Sequence, residues 1–191
     1  MARPYDSRLS AEDWARAAME AMAGGGLSAV VLEPLARSLG VTKGSFYAHF
    51  RNREELIDAA LTYWENSHGA PGLAAFAAIP DPAERLQVLL RSAIDFSQSL
   101  APSVHVHLLG ELDNPRVRAV VHRVTEDRIA LIARTFEELG HDEQRAQHRA
   151  QLAYSTYVGL LFLARERPDS PPDPATAQAF LTEASTVLIG S

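Results

Sequence analysis

Leu32-Glu33-Pro34-Leu35-Ala36-Arg37-Ser38-Leu39-Gly40-Val41-Thr42-Lys43-Gly44-Ser45-Phe46-Tyr47-Ala48-His49-Phe50 is the stretch on which the fold turns. Leu32, Leu35, Ala36 and Leu39 form an apolar stripe only two helical turns long, which ends at Gly40. Pro34 is tolerated because it falls in the first turn, where its missing N–H has no partner in the helix. A second short helix starts at once, with Thr42 as N-cap and Val41 placed to staple onto Phe46. Two short helices around the three-residue turn Gly40-Val41-Thr42 have the geometry of a helix-turn-helix, although small helical domains of other kinds share it.

The flanks extend the helical reading in both directions. Leu9-Ser10-Ala11-Glu12-Asp13-Trp14 has the form of a helix start, with Ser10 as N-cap, acidic residues in the first turn and Leu9 stapled to Trp14. Trp14, Ala17, Ala18, Ala21 and Met22 share one stripe, and Gly24-Gly25-Gly26 stops the helix because glycine accepts the left-handed conformation of a C-terminal cap. A fourth helix opens at Asn52, with Glu55 as capping-box partner, and runs through Ile57, Ala60, Leu61 and Trp64. Gly69-Ala70-Pro71-Gly72 ends it and reads as a domain boundary. Longer helices follow near 82–99, 103–112, 115–139, 143–167 and 175–189, with cap-then-proline starts at Asp81-Pro82 and Asn114-Pro115, a stop at Gly140 and a rigid linker at Pro171-Pro172-Asp173-Pro174. Apolar residues recur at three and four rather than two, so the expected class is all-α with about nine helices. The expected domains are a helix-turn-helix domain with its linking fourth helix at 1–68 and a second helical domain at 73–191.

Composition narrows the chemistry. There is no cysteine, which excludes disulfides, thiolate metal sites and a cysteine nucleophile. Residues 1–10 hold no apolar core of a signal sequence, and no run approaches the roughly 20 apolar residues of a membrane span, so a soluble cytoplasmic protein without a membrane partner is expected. Walker A, Gly-x-Gly-x-x-Gly, Gly-x-Ser-x-Gly and His-Glu-x-x-His patterns are all missing, which argues against an enzyme, a cofactor or a metal. The formal charge is −6, of which residues 1–60, with seven Arg or Lys and eight Asp or Glu, contribute −1. Net charge therefore draws no polyanion to this chain, and any such binding depends on local placement. Seventeen of the eighteen cations are arginine, so the single lysine, Lys43, stands out.

The second short helix supplies that placement. Phe46 and Phe50 are one turn apart and should face the core, which turns Gly44, Ser45 and Ala48 outward and leaves Lys43, Tyr47 and His49 on the flanks. A small outer face allows close approach of the backbone to base edges in a major groove, and lysine, tyrosine and histidine can all donate to phosphate oxygen. Lys43 can also reach guanine O6 and N7. Arg53, at the positive dipole end of the fourth helix, offers a further phosphate contact. Taken singly, Tyr47 equally suits half-buried packing, His49 a solvated surface, and Lys43 and Arg53 simple solubility. Their convergence on one short segment favours the binding role.

From Gly26 to Leu56, and above all in Gly40-Val41-Thr42-Lys43-Gly44-Ser45-Phe46-Tyr47-Ala48-His49-Phe50-Arg51-Asn52-Arg53-Glu54-Glu55-Leu56, the sequence resembles the DNA-binding domain of the TetR family of transcriptional regulators. The resemblance covers residues 8–60. It implies a dimer on a near-palindromic DNA operator, with Tyr47, His49 and Arg53 on phosphates and Thr42, Lys43 and Ser45 reading bases. Two positions depart from the family pattern. Val31 stands where the family commonly has a capping Ser or Thr that also touches phosphate, and Glu33 stands where some members carry a base-contacting arginine. The Glu33 carboxylate either accepts from a cytosine amino group or faces solvent. Arg3 and Arg8 on the N-terminal arm can compensate by reaching the backbone or minor groove.

A reading head of this size needs no second domain for stability, so the rest of the chain is expected to sense a small-molecule effector and to dimerise. Leu152 to Ala164 is apolar on nearly every side and must be covered all round. With the last helix it predicts a homodimer interface of Tyr157, Leu160, Leu161, Phe180, Leu181, Ala184, Val187 and Leu188. Phe96, His105, His107, His122, Tyr154 and Tyr157 are the aromatic and polar residues in apolar helical surroundings that could line an effector pocket. His105 and His107 are two apart, which points them in different directions and argues against a shared metal. The rival reading is a helical dimeric adaptor or ligand-binding protein with weak or no DNA binding, favoured by Val31, Glu33 and the near-neutral N-terminal region.

Overall fold

Helix follows helix in the computed structural model, which describes residues 9–98, 104–166 and 173–189, apart from the side chains of 96–98, 174, 177, 188 and 189. The elements are α1 (Ala11–Gly25), a single 3-10 turn (Gly26–Ala29), α2 (Leu32–Ser38), α3 (Lys43–Tyr47), α4 (Arg53–His68), α5 (Ala70–Ala77), α6 (Pro82–Gln98), α7 (Val104–Leu109), α8 (Pro115–Glu138), α9 (Glu143–Glu166) and α10 (Pro174–Ile189). No strand occurs among the described residues. They fold as two compact units, one of Met1–Glu65 with Ser103–Val121, the other of Asn66–Pro102 with His122–Ser191.

The first unit is built on aromatic side chains. Trp14 of α1 meets Phe46 of α3 edge-on at 5.5 Å between ring centroids, and Phe46 stacks on Phe50 at 5.7 Å. Leu56, Ile57, Ala60, Leu61 and Trp64 give α4 one buried face over 53–64. Each of the large aliphatic side chains contributes about 1.5–3 kcal/mol on leaving water, which offsets the entropy of ordering helices as short as α2 and α3. The α1 cap is reciprocal: the Asp13 amide donates to Ser10 Oγ at 3.2 Å, and the Ser10 amide donates to Asp13 Oδ2 at 2.9 Å. The bond from the Ser10 backbone, helped by the Ser10 hydroxyl and Arg16, holds the Asp13 carboxyl below the usual carboxylate range. At α4 the Glu55 amide donates to Asn52 Oδ1 at 2.9 Å, while the Glu55 carboxylate reaches back to the Arg51 amide at 2.7 Å.

Two features depart from the sequence reading. Gly69-Ala70-Pro71-Gly72 is not a bare linker but the start of α5, with Gly69 at the N-cap position and Pro71 in the first turn. Proline in a first turn loses no hydrogen bond, and Gly72 is there because a Cβ would stand 1.9 Å from the Ser67 carbonyl oxygen. The second departure is non-local: α7 and the first turns of α8 belong to the first unit, so the chain leaves that unit and returns to it. Within the unit the Glu111 carboxylate accepts from the Leu27 amide at 2.8 Å. Gly26, at φ 65°, leaves room for it, since a Cβ there would come within 2.0 Å of Glu111 Oε1.

In the second unit, Leu86, Leu90 and Ile94 of α6 pack with Phe136 of α8, Ala146 and Ala153 of α9, and Leu181 of α10. The small residues Ala146, Ala150 and Ala153 let α9 approach its neighbours closely. Arg85, buried at the start of α6, is held by the Ile79 carbonyl oxygen at 2.8 Å and Glu138 Oε2 at 2.9 Å, which ties α6 to the end of α8. No helix among the described residues is long and apolar enough to cross a membrane.

Candidate functional site

The surface of α3 follows from its core anchors. Phe46 and Phe50 are buried, so Thr42, Lys43, Gly44, Tyr47, Ala48 and His49 are exposed and Ser45 is half-buried. Thr42 occupies the N-cap position with extended backbone (φ −87°, ψ 159°), yet its hydroxyl makes no cap hydrogen bond. That is a correction to the expected cap, and the residue is exposed. Gly40 turns the chain into α3 at φ 71°. Tyr47 is 65% exposed, with its ring set edge-on against Phe46 at 5.1 Å. Tyr47, His49, Arg51 and Glu55 line one open polar cleft beside the helix.

The cations around α3 are arranged differently from the sequence reading. Lys43 Nζ is ion-paired to Glu33, whose carboxyl Lys43 holds below the usual carboxylate range. Glu33, 64% exposed, therefore faces solvent with Lys43 as its counter-ion, and α2 carries the counter-charge of that lysine. Arg53 is also committed, its Nε donating to the Val30 carbonyl at 2.7 Å and its Nη2 to the Leu27 carbonyl. It clamps the start of α4 to the turn before α2. The cation bordering the Tyr47 cleft is Arg51, whose side chain is 90% exposed and lies 3.3 Å from Glu55. Sequence reasoning passed over Arg51. The signal was its place directly after Phe50, outside the helical periodicity that ranks core against surface. Val31 stands at the N-cap of α2 with no side-chain cap, as its chemistry requires. Arg3 and Arg8 lie outside the described residues.

A cavity of about 250 Å³ opens in the second unit, lined chiefly by leucines of α6 and by side chains of α5, α8 and α9, with His68, Ser92, Arg128, Tyr154 and Tyr157 as its polar members. Tyr154 and Tyr157 are thus the two effector candidates that reach it. Tyr154 Oη is 2.9 Å from Thr125 Oγ1, and Tyr157 Oη accepts from Arg128 Nη1 at 3.2 Å. Burial pushes the Tyr157 phenol up despite the neighbouring Arg128 charge. The three histidines do not line the cavity. His105 is buried in the first unit with its ring 5.5 Å from Trp64, His107 is half-buried in the same unit, and His122 is exposed with Glu126 at 3.9 Å. The Phe96 side chain lies outside the described residues. Among the described residues, no group of three His, Asp or Glu side chains is placed to hold a metal ion.

The predicted interface residues divide in two. Leu161 (3% exposed) and Leu181 (7%) turn into their own unit, and Tyr157 turns to the cavity, because α9 spends one face on its own core. Phe180 and Val187 are exposed, Leu160 and Ala184 are half-buried, and the Leu188 side chain lies outside the described residues. Leu152, Phe162 and Leu163 of α9 are exposed as well and were missed, since a helix apolar all round gives no sequence clue to its outer face.

With this geometry in place, residues 15–60 match the sequence model of the bacterial regulatory proteins of the tetR family. The chain superposes on GusR of Salmonella enterica with a TM-score of 0.68 at 19% identity, covering 96% of this chain and 98% of that one. A Rhodococcus sp. protein assigned to the TetR-family transcriptional regulators gives 0.59 at 20% identity, with 94% and 98% covered. The ketosteroid transcriptional regulator KstR2 of Mycobacterium tuberculosis gives 0.52 at 20% identity, with 98% and 95% covered. Comparison with curated proteins gave no match. Residues 15–60 thus carry the match to the tetR family of bacterial regulatory proteins, and the all-helical fold is the one these solved structures share.

Proposed function

We propose that this chain is a ligand-responsive transcriptional regulator, a homodimer that binds a palindromic DNA operator as a repressor and is released by a small molecule. One observation carries the reading: α3 presents Thr42, Lys43 and Gly44 outward on a base fixed by Phe46 and Phe50, inside the segment that matches the family. Thr42, Lys43 and Ser45 read base edges, Gly44 lets the backbone come close, and Tyr47, His49 and Arg51 meet phosphates. Arg53 acts one step back, as the clamp that orients α4 against the turn before α2. The effector occupies the cavity of the second unit, where Arg128 Nε donates to the His68 carbonyl, at the end of α4, at 3.2 Å. Since α4 begins beside the recognition helix, a shift of its far end alters the spacing of the two heads, which must sit about 34 Å apart to engage both half-sites. Selection of bound duplexes from a random pool tests the reading, with a palindrome expected. If low salt yields no enriched sequence, the adaptor reading, which the Lys43–Glu33 pair favours, takes its place.

A further inference from the structure

Leu73, Phe76, Leu86, Leu90 and Leu131 give the cavity of the second unit an apolar wall, and no carboxylate lines it. Its larger polar groups are engaged with the protein itself. Tyr154 Oη is paired with Thr125 Oγ1, Tyr157 Oη accepts from Arg128 Nη1, and Arg128 Nε donates to the His68 carbonyl. The guanidinium also lies 5.2 Å from the Tyr157 ring centroid and makes a further interaction beyond these. A charged guest gains little from such a wall. An anionic head would give up its water for a cation that the protein already satisfies, which is unfavourable. A cationic head finds no carboxylate and is repelled by Arg128. A neutral apolar body gives up no bonds, and both it and the leucines gain by leaving water. Ser92 adds one small hydroxyl to the wall, enough to meet a single polar atom of the guest. At the packing density of protein interiors, the 250 Å³ cavity holds a molecule of about ten to twelve non-hydrogen atoms.

We infer that the cavity takes a neutral, largely apolar molecule of that size bearing one hydroxyl, with its body among Phe76, Leu86, Leu90 and Leu131 and its hydroxyl at Ser92. This rests on reading the cavity as the effector site. The probes are octanoate and the straight-chain alcohols from hexanol to dodecanol, titrated calorimetrically into the full-length protein. Octanol binds roughly tenfold or more tightly than octanoate, because the acid must shed its hydration. Along the alcohols, affinity rises about fourfold per methylene as far as decanol and falls at dodecanol, which outgrows the cavity. Alcohols collecting on the exposed apolar side chains of α9 and α10 would show no such limit. Ala93→Phe, which fills the cavity from its α6 side, abolishes alcohol binding, and Ser92→Ala weakens every alcohol severalfold without moving the length limit. The inference is overturned if octanoate binds as tightly as octanol, if dodecanol continues the rise, or if a folded Ala93→Phe variant still binds decanol as the native chain does. Should Ala93→Phe fail to fold, the order of octanol and octanoate on the native chain decides. A Ser92→Ala variant of native affinity overturns the placement of the hydroxyl. Alcohol binding that leaves affinity for the selected DNA unchanged would defeat the effector reading and leave the ligand class standing. Failure of every alcohol to bind a protein that still selects a palindrome would defeat the ligand class alone.

Discussion

Glu33 and Lys43 carry opposite charges at the surface proposed to meet DNA, and on that proposal the pairing sets how much the lysine contributes. A lysine already neutralised by a neighbouring carboxylate releases little counterion on meeting phosphate, and the carboxylate it leaves behind repels the backbone. Glu33→Gln is therefore expected to raise DNA affinity severalfold near 0.1 M salt and to steepen the salt dependence by up to about one unit of slope. Adding Lys43→Ala should cancel the gain, and unchanged affinity in the single variant would show that Lys43 leaves Glu33 at no cost. Arg53 gives the opposite pattern. Because its guanidinium serves the Leu27 and Val30 carbonyls, Arg53→Gln is expected to lower the stability of the chain by about 1–3 kcal/mol in a denaturant titration. A variant of native stability that only loses affinity for DNA would return Arg53 to the phosphate role.

At the level of elements, most of the helical order was legible because each start had a local signal: Ser10 with Asp13, Asn52 with Glu55, Asp81 and Asn114 before proline. What was not legible depends on partners distant in sequence. Nothing local to Gly26 announces Glu111, 85 positions on, and nothing in the periodicity of α9 tells Leu161 from Phe162. In α3 the identities of the outward residues were readable, but the commitment of Lys43 to α2 and of Arg53 to the preceding turn was not, since an ion pair between helices leaves no spacing rule behind. The two positive-φ glycines of the first unit separate these cases experimentally. A Cβ at Gly40 meets nothing within 4 Å, so Gly40→Ala pays backbone strain alone, about 1–2 kcal/mol, and Gly40→Asn less. Gly26→Ala pays the same strain and also displaces the carboxylate that accepts from Leu27, so thermal unfolding should show it as the more damaging of the two. Equal losses would mean that Glu111 moves aside freely.

On the proposed function the whole molecule brings two heads to one operator, and its apolar surface suggests a way. Of the seven large apolar side chains exposed among the described residues, Leu152, Phe162, Leu163, Phe180 and Val187 lie on α9 and α10, and the other two are Val31, at the start of α2, and Tyr47, the last residue of α3. Concentration of this kind on two helices of a single unit is what an uncovered self-association face looks like, whereas singly scattered apolar residues need no explanation. The net charge of −6 adds a constraint, because like-charged copies repel and the contact must offset that repulsion. Phe162→Asp tests this without touching the core, since Phe162 is 65% exposed while its neighbour Leu161 is buried. Sedimentation should show the native chain as a dimer and the variant as a monomer with unchanged helicity by circular dichroism. DNA binding should then fall by roughly a hundredfold or more, because the second half-site loses the high effective concentration that linkage to the first provides. A Phe162→Asp protein that remains dimeric would place the contact elsewhere, and a monomer that keeps full operator affinity would remove the need for two linked heads.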